Sequence, residues 1–434
     1  MLSRIKMIYL MSPKGARKAV LQNAFSLSTL QVLNYILPVI LLPYLVRIIG
    51  ADKFGLIAFA QALAQYFSIL VDYSFNLTAT REISLNRQHK QKINAIFSSV
   101  MTIKCCLALA SLVILLAMIN FVPKFRGDYL VYVLSFGTVI ANALFPYWFF
   151  TGIEKMKYIS NLNMASGIIY ALGIFVLVKG PQDYLYILLL NAIIFIAMGI
   201  TGLLIVLIKF KVTFIFPGFK ALIKEIKSGW SIFASNVSIN AYTISRVFAV
   251  GLLTNNTLTG YYSIAERIAN IIQVFPMYSF TQALYPRLSR IFKKNKKQAF
   301  DLMNRIQHVA TDGFMLSLPV IYFLSPLIIR VTAGRPFPEA ILSLRLLLVA
   351  IFFVGANAYR VQFLLVCGRQ DIFSKIHTTA ALIGVPLIFI FIGSFSYWGA
   401  ALATVFIEAG VTLYTIRLTK KINLASICSI SAAQ

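Results

Sequence analysis

Apolar runs long enough to cross a bilayer recur along the whole chain, separated only by short polar connections. They fall at approximately 21–46, 56–80, 95–119, 129–151, 161–179, 184–208, 230–253, 261–286, 309–330, 340–366, 376–393 and 397–416. About 20 apolar residues make a helix that spans the hydrocarbon layer. In lipid only helices and closed barrels satisfy their own backbone hydrogen bonds. The pattern therefore predicts an all-α polytopic membrane protein with about 12 transmembrane helices. The eleventh and twelfth spans are divided only by Gly393-Ser394-Phe395-Ser396.

Composition agrees. Hydrophobic residues make up 59% of the 434 and charged residues 12%, against about 45–50% and about 25% in soluble domains. Mean hydropathy is +0.81. The largest connections, around 209–229 and 287–308, are short and basic, which leaves no room for a folded extramembrane domain. Near the N-terminus the apolar stretch Met7–Met11 is too short for a signal-peptide core, so the first span is expected to act as an uncleaved insertion signal.

The 40 Lys and Arg against 13 Asp and Glu give a formal charge of +27. In a soluble chain that surplus would suggest nucleic acid. Here Lys and Arg favour the N-tail, the even-numbered connections and the C-tail by about four to one over the opposite side. That is the positive-inside pattern, and it predicts that both termini are cytoplasmic. The surplus adds attraction to anionic lipid and is no nucleic-acid footprint.

A shift of 205 residues lays FGLIAFAQALAQYF, from Phe54, over TGYYSIAERIANII, from Thr259. Gly55 then matches Gly260, Ala60 matches Ala265, and Gln61 lies over Glu266. A shift near half the chain length predicts a duplicated six-helix unit. Two such lobes would be related by a pseudo-two-fold axis along the membrane normal. The lobes are expected at 1–208 and 230–434, joined by a cytoplasmic linker at 209–229.

The repeat carries a polar stripe. In the second span Gln61, Gln65, Ser68, Asp72 and Asn76 are spaced 4, 3, 4 and 4. In the eighth, Glu266, Asn270, Gln273 and Thr281 keep the same register, with Met277 in place of an acid. Such spacing puts each set on one helix face. Lipid cannot satisfy these groups, so they face another helix or water. Interhelical hydrogen bonding would explain them; two matching stripes in repeat-related helices favour a shared wet cavity. The first span (Asn23, Ser26, Ser28, Thr29, Gln31, Asn34) and the seventh (Ser231 to Arg246) repeat the theme. Pro38 and Pro43 are expected to bend the first span.

Away from helix ends, the charges inside the spans are Asp72, Lys104, Arg246, Glu266, Arg267, Arg345, Arg360 and Glu408. Each marks a functional cavity or a buried pair. All four arginines lie in the second half, and a planar guanidinium suits bidentate phosphate binding. A cationic ladder of Arg246, Arg267, Arg345 and Arg360 is one reading. Neutralisation of Arg246 or Arg267 by Glu266, and snorkelling of Arg267 and Arg345, is the other. Lys104 is expected to snorkel to the cytoplasmic surface. Asp72 and Glu266, the acids of the paired stripes, are candidates to carry a coupling proton or sodium ion.

Nothing in the sequence resembles an enzyme's equipment. There is no GxxxxGK[ST] loop and no GxSxG elbow. The cysteines (Cys105, Cys106, Cys367, Cys428) and three histidines share no metal-ligand spacing, so neither a metal site nor a cofactor is expected.

The segments NAFSLSTLQVLNYILPVILLPYLVRIIGADKFGLIAFAQ (from Asn23), VDYSFNLTATREIS (from Val71), FPYWFFTGIEKMKYI (Phe145 to Ile159) and GYYSIAERI (Gly260 to Ile268) together resemble bacterial O-antigen flippases of the Wzx type. That resemblance implies a transporter of the multidrug/oligosaccharidyl-lipid/polysaccharide superfamily in the bacterial inner membrane. Its implied cargo is an undecaprenyl-pyrophosphate-linked oligosaccharide, with other polysaccharide-assembly membrane proteins as expected partners. The family's cationic lumen would correspond here to the four arginines. The amides of Gln61, Gln65, Asn270 and Gln273 suit a glycan. A drug or cation antiporter of the same superfamily and a non-transporting envelope-assembly scaffold are the competing readings.

Overall fold

The computed structural model describes the backbone of residues 14–421, with side chains described except at 14–36, 239, 275–287, 293, 370 and 419–421. The polar set of the first span, and Met277 and Thr281 of the eighth, lie outside the described side chains.

The described residues are mainly helical, with no strand among them. Helices α1 (Lys14–Asp72), α2 (Phe75–Leu85) and α3 (Lys90–Phe121) come first. A broken span follows as α4 (Tyr129–Ser135), α5 (Gly137–Leu144) and α6 (Tyr147–Gly152). Then come α7 (Lys157–Leu177), α8 (Tyr184–Leu204), α9 (Phe219–Leu253), α10 (Asn256–Lys294) and α11 (Lys296–Ala333). The last three are α12 (Pro338–Val366), α13 (Gln370–Phe395) and α14 (Tyr397–Lys421). Every apolar run expected to span falls on one of these helices. Nine stretches of the described residues are long and apolar enough to cross a membrane.

The chain forms two compact units, Met1–Leu41 with Leu63–Phe233 and Leu42–Ala62 with Ala234–Gln434. In the first unit, α8 packs on α5 and α7, and α2 packs on α6. Its core is aromatic: Phe75, Phe97, Trp148, Phe149 and Phe150 are almost wholly buried. Lipid is as apolar as these side chains, so shape-matched van der Waals packing, rather than escape from water, holds them together. In the second unit α12 packs on α10, α11 and α14, and α13 packs on α14.

Several local expectations are corrected. The first two spans meet at Gly50, whose φ of 74° is the left-handed conformation that costs glycine least. The second span is not continuous to residue 80: Tyr73 (φ 43°) and Ser74 (φ 65°) interrupt it between α1 and α2. The fourth span breaks at Phe136 and again at Phe145-Pro146, where proline removes a helical donor and pushes the preceding residue to extended backbone.

The connection expected at 287–308 is a sharp corner at Asn295, whose side chain accepts from the Gln298 backbone N–H at 3.0 Å and so caps α11. Helices α10 and α11, of 39 and 38 residues, run roughly 57 Å, well beyond a hydrocarbon layer of about 30 Å. Their overhang carries Arg290, Lys294, Lys296 and Lys297. The linker expected at 209–229 is helical from Phe219, where α9 begins. The eleventh and twelfth spans do part at Ser396, with φ 57°.

Candidate functional site

In the second unit the two copies of the repeat motif lie against each other. A Cβ added to Gly55 would sit 2.4 Å from Gly260 N, so the absence of a side chain at both positions permits this approach. Nearer the connection, Thr257 Oγ1 donates to Asp52 Oδ1 at 3.2 Å. On the far side Phe59 meets Phe248 with ring centroids 5.4 Å apart.

Beyond this crossing lies the first pair of candidate residues. Arg267 Nη2 donates to Gln61 Oε1 at 2.9 Å, and the guanidinium lies 5.0 Å from the Phe54 ring centroid. Gln61 aligns with Glu266 in the repeat, yet it bonds to the neighbouring Arg267. Glu266 turns to α9 instead: its Oε1 is 3.4 Å from Arg246 Nε, which also donates to Thr243 O at 3.1 Å. Both side chains are mostly buried, at 15% and 12% exposure. Tyr262, Glu408 and Tyr242 also act on Arg246 electrostatically. Arg246 is therefore the cation of a buried cluster with two carboxylates. Glu408 was visible in the sequence as an intramembrane charge, but nothing there connected it to Arg246.

The two arginines of α12 join neither group. Arg345 lies over the Tyr322 ring, 4.7 Å from its centroid, and its Nε donates to Ser325 Oγ at 3.0 Å. Arg360 is half-buried and has no hydrogen bond or ion pair among the described residues. Along α10, Asn270 is exposed and Gln273 half-buried in an otherwise apolar stretch.

In the first unit, Gln65 is likewise exposed on an apolar helix. Asp72 closes α1 immediately before the Tyr73-Ser74 interruption, with Oδ1 3.9 Å from Lys104 Nζ. Lys104 does not snorkel. It is 1% exposed, and its ammonium donates to Asn142 O at 2.8 Å. A backbone carbonyl at that depth together with Asp72 meets its charge locally, which removes the need to reach water. Tyr73 anchors the interruption by donating from its hydroxyl to Ile226 O at 3.1 Å and stacking on Phe233 at 4.5 Å. Asp72 Oδ1 itself is buried without a hydrogen bond. Among the described residues no cluster of His, Cys, Asp and Glu is arranged to hold a metal.

This chemistry is a set of intramembrane guanidinium, amide and carboxyl groups on apolar helices. The sequence model of the family described as polysaccharide biosynthesis protein matches residues 20–292. The chain belongs to this family.

Two relatives named "Putative O-antigen transporter" are similar to this family member. The one from Escherichia coli (strain K12) is 28% identical over 393 residues, covering 90% of this chain and 94% of the relative. The one from Shigella dysenteriae is 24% identical, covering 89% and 96%. The fold is similar to that of the lipid II flippase MurJ in its inward closed conformation, with a TM-score of 0.71, 16% identity, and 94% and 90% of the two chains covered. An inward-facing multidrug resistance MATE family transporter of the MOP superfamily gives a TM-score of 0.64 at 11% identity, covering 91% and 98%.

Proposed function

We propose that this protein is a flippase that carries lipid-linked polysaccharide repeat units across the membrane, from the cytoplasmic to the periplasmic leaflet. The cargo class is an oligosaccharide on undecaprenyl pyrophosphate, and both chain termini lie in the cytoplasm of the bacterial inner membrane. The observation that carries the reading is Arg360, a half-buried guanidinium on the apolar helix α12 with no partner among the described residues. An unpaired, half-buried charge on a spanning helix calls for a ligand of opposite sign, and a phosphate oxyanion pair matches its fork.

Relatives named as O-antigen transporters at 28% and 24% identity support the polysaccharide cargo over a drug. Gln61 with Arg267, and the exposed amides of Gln65 and Asn270, supply donors and acceptors of the kind a glycan uses. Gln273 extends that set. Arg246 has its charge met by Glu266, so it would reach an anionic head group only when that pair opens. Asp72 and Glu266 are the candidates for ion coupling, by proton or sodium, since each is a carboxylate on a spanning helix beside one basic partner.

Deletion of the gene, followed by leaflet-resolved analysis of lipid-linked intermediates, tests this. Accumulation of full repeat units in the cytoplasmic leaflet is the expected result. A normal distribution between leaflets, or accumulation of unfinished sugars, would overturn it.

A further inference from the structure

The second unit carries a cavity of about 330 Å³ between α11 and α12 whose lining includes none of the residues assigned to transport. Its lining is wholly apolar or aromatic and includes Phe314, Met315, Tyr322, Phe323, Val349 and Phe352. It is open on its outer side, where Met315 is 64%, Phe323 76% and Val349 42% exposed. All of these residues lie in stretches apolar enough to span the membrane. A concave apolar groove at that level takes hydrocarbon, and this one holds a short length of a single chain rather than a whole lipid.

One end of the groove is charged. Arg345 lies on the Tyr322 ring that forms part of the wall. Its Nε is fixed by Ser325 Oγ at 3.0 Å, and that hydroxyl in turn donates to Tyr322 O at 2.7 Å. Ser325 is fully buried, so this is a built support rather than a chance surface contact. The guanidinium is thus oriented by one nitrogen, while its other two make no hydrogen bond or ion pair among the described residues. Arg345 is seven residues beyond Pro338, the start of α12, roughly 10 Å along the helix. From there the side chain reaches toward the head-group layer.

A cation beside an apolar slot recognises an amphiphile with an anion next to a hydrocarbon chain. We infer that this groove is a binding site for an anionic glycerophospholipid of the surrounding bilayer, with an acyl chain between α11 and α12 and the head-group phosphate on Arg345. The charge favours this occupant. A single guanidinium beside a slot for a short length of one chain matches the single charge of a phosphodiester next to its acyl chain. The role is distinct from transport of the head group, which the proposed function assigns elsewhere.

Native mass spectrometry of the full chain, titrated with phosphatidylglycerol and with phosphatidylcholine, tests the site without any transport assay. The wild type is expected to retain one phosphatidylglycerol in preference to phosphatidylcholine. Arg345→Gln should weaken phosphatidylglycerol about fivefold, the effect of one basic residue on an anionic lipid, and leave phosphatidylcholine unchanged. Val349→Trp, a substitution at an exposed position that fills the slot without touching the charge, should weaken both lipids. If Arg345→Gln lowers the melting temperature, Val349→Trp alone decides. Unchanged phosphatidylglycerol retention in either folded variant would overturn the proposal. Displacement of phosphatidylglycerol by equimolar undecaprenyl pyrophosphate would also overturn it, and would make the groove part of the cargo path.

Discussion

Gly55 and Gly260, equivalent positions of the internal repeat, face each other across a helix crossing with no room for a side chain on either. A Cβ on Gly260 would lie 1.9 Å from Ala51 O, and one on Gly55 would lie 1.9 Å from Asn256 O. Asp52 and Thr257, bonded at 3.2 Å, are also repeat equivalents. The two copies therefore meet about a local two-fold through their own matching residues. A duplicated sequence achieves this when both copies present the same small face.

Alanine at either glycine tests the crossing. In an open helix Gly→Ala is worth up to about 1 kcal/mol of stabilisation. Here it forces a methyl into backbone, and overpacking costs about 1–3 kcal/mol. Gly55→Ala and Gly260→Ala should lower the melting temperature in detergent. Gly410→Ala, with open space around it, should not.

Asp72→Asn should be strongly destabilising, by about 3–5 kcal/mol, because it leaves the buried Lys104 ammonium without its carboxylate. The double variant Asp72→Asn with Lys104→Met should recover most of that loss. A double-mutant cycle on thermal stability reads the coupling directly. Purely additive losses would mean that the 3.9 Å contact is incidental.

Glu266 and Arg246 allow the bridge and coupling roles to be separated. If the pair is chiefly a bridge, Glu266→Gln lowers protein level and Arg246→Gln partly restores it. If Glu266 carries the coupling ion, Glu266→Gln keeps its protein level and its flow down a cargo gradient, but no longer responds to an imposed ion gradient. The burial of both side chains favours the first outcome, and paired immunoblot and transport assays distinguish them.

Arg360→Ala is expected to abolish surface polysaccharide at normal protein level, and Arg360→Lys to restore it only in part, since an ammonium keeps the charge but loses the fork. Normal export in Arg360→Ala would remove this residue from the cargo path.

Outside the spans, Arg87 Nη2 donates to Glu154 Oε1 at 2.8 Å and holds the Glu154 carboxyl below its ordinary value of 4.5. A carboxyl with a lowered folded-state value stabilises the fold above its unfolded value and loses that contribution as pH falls through the folded one. The stability difference between wild type and Glu154→Gln should therefore be constant above pH 4.5 and shrink below it. The pair is largely exposed, so the difference is small and should weaken further with salt.

The positions of the long apolar runs were legible in the sequence alone, because lipid imposes a local rule: a long apolar run must become a helix. The same rule singled out the intramembrane charges, and the 4-3-4-4 spacing assigned Gln61, Gln65 and Asp72 to one face. Only the tertiary structure decided what that face meets. It gave Gln61 to Arg267 rather than leaving Glu266 beside it, tied Glu266 to Arg246, and buried Lys104 against Asn142 instead of letting it reach water. It also interrupted the second span at Tyr73-Ser74, where neither residue is a helix breaker and where Ile226 and Phe233, over 150 positions away, hold the turn. Periodicity determines direction around a helix axis, but the partner of a buried charge is set by which distant helix lies a few ångströms away. That is a property of packing, and a single helix does not contain it.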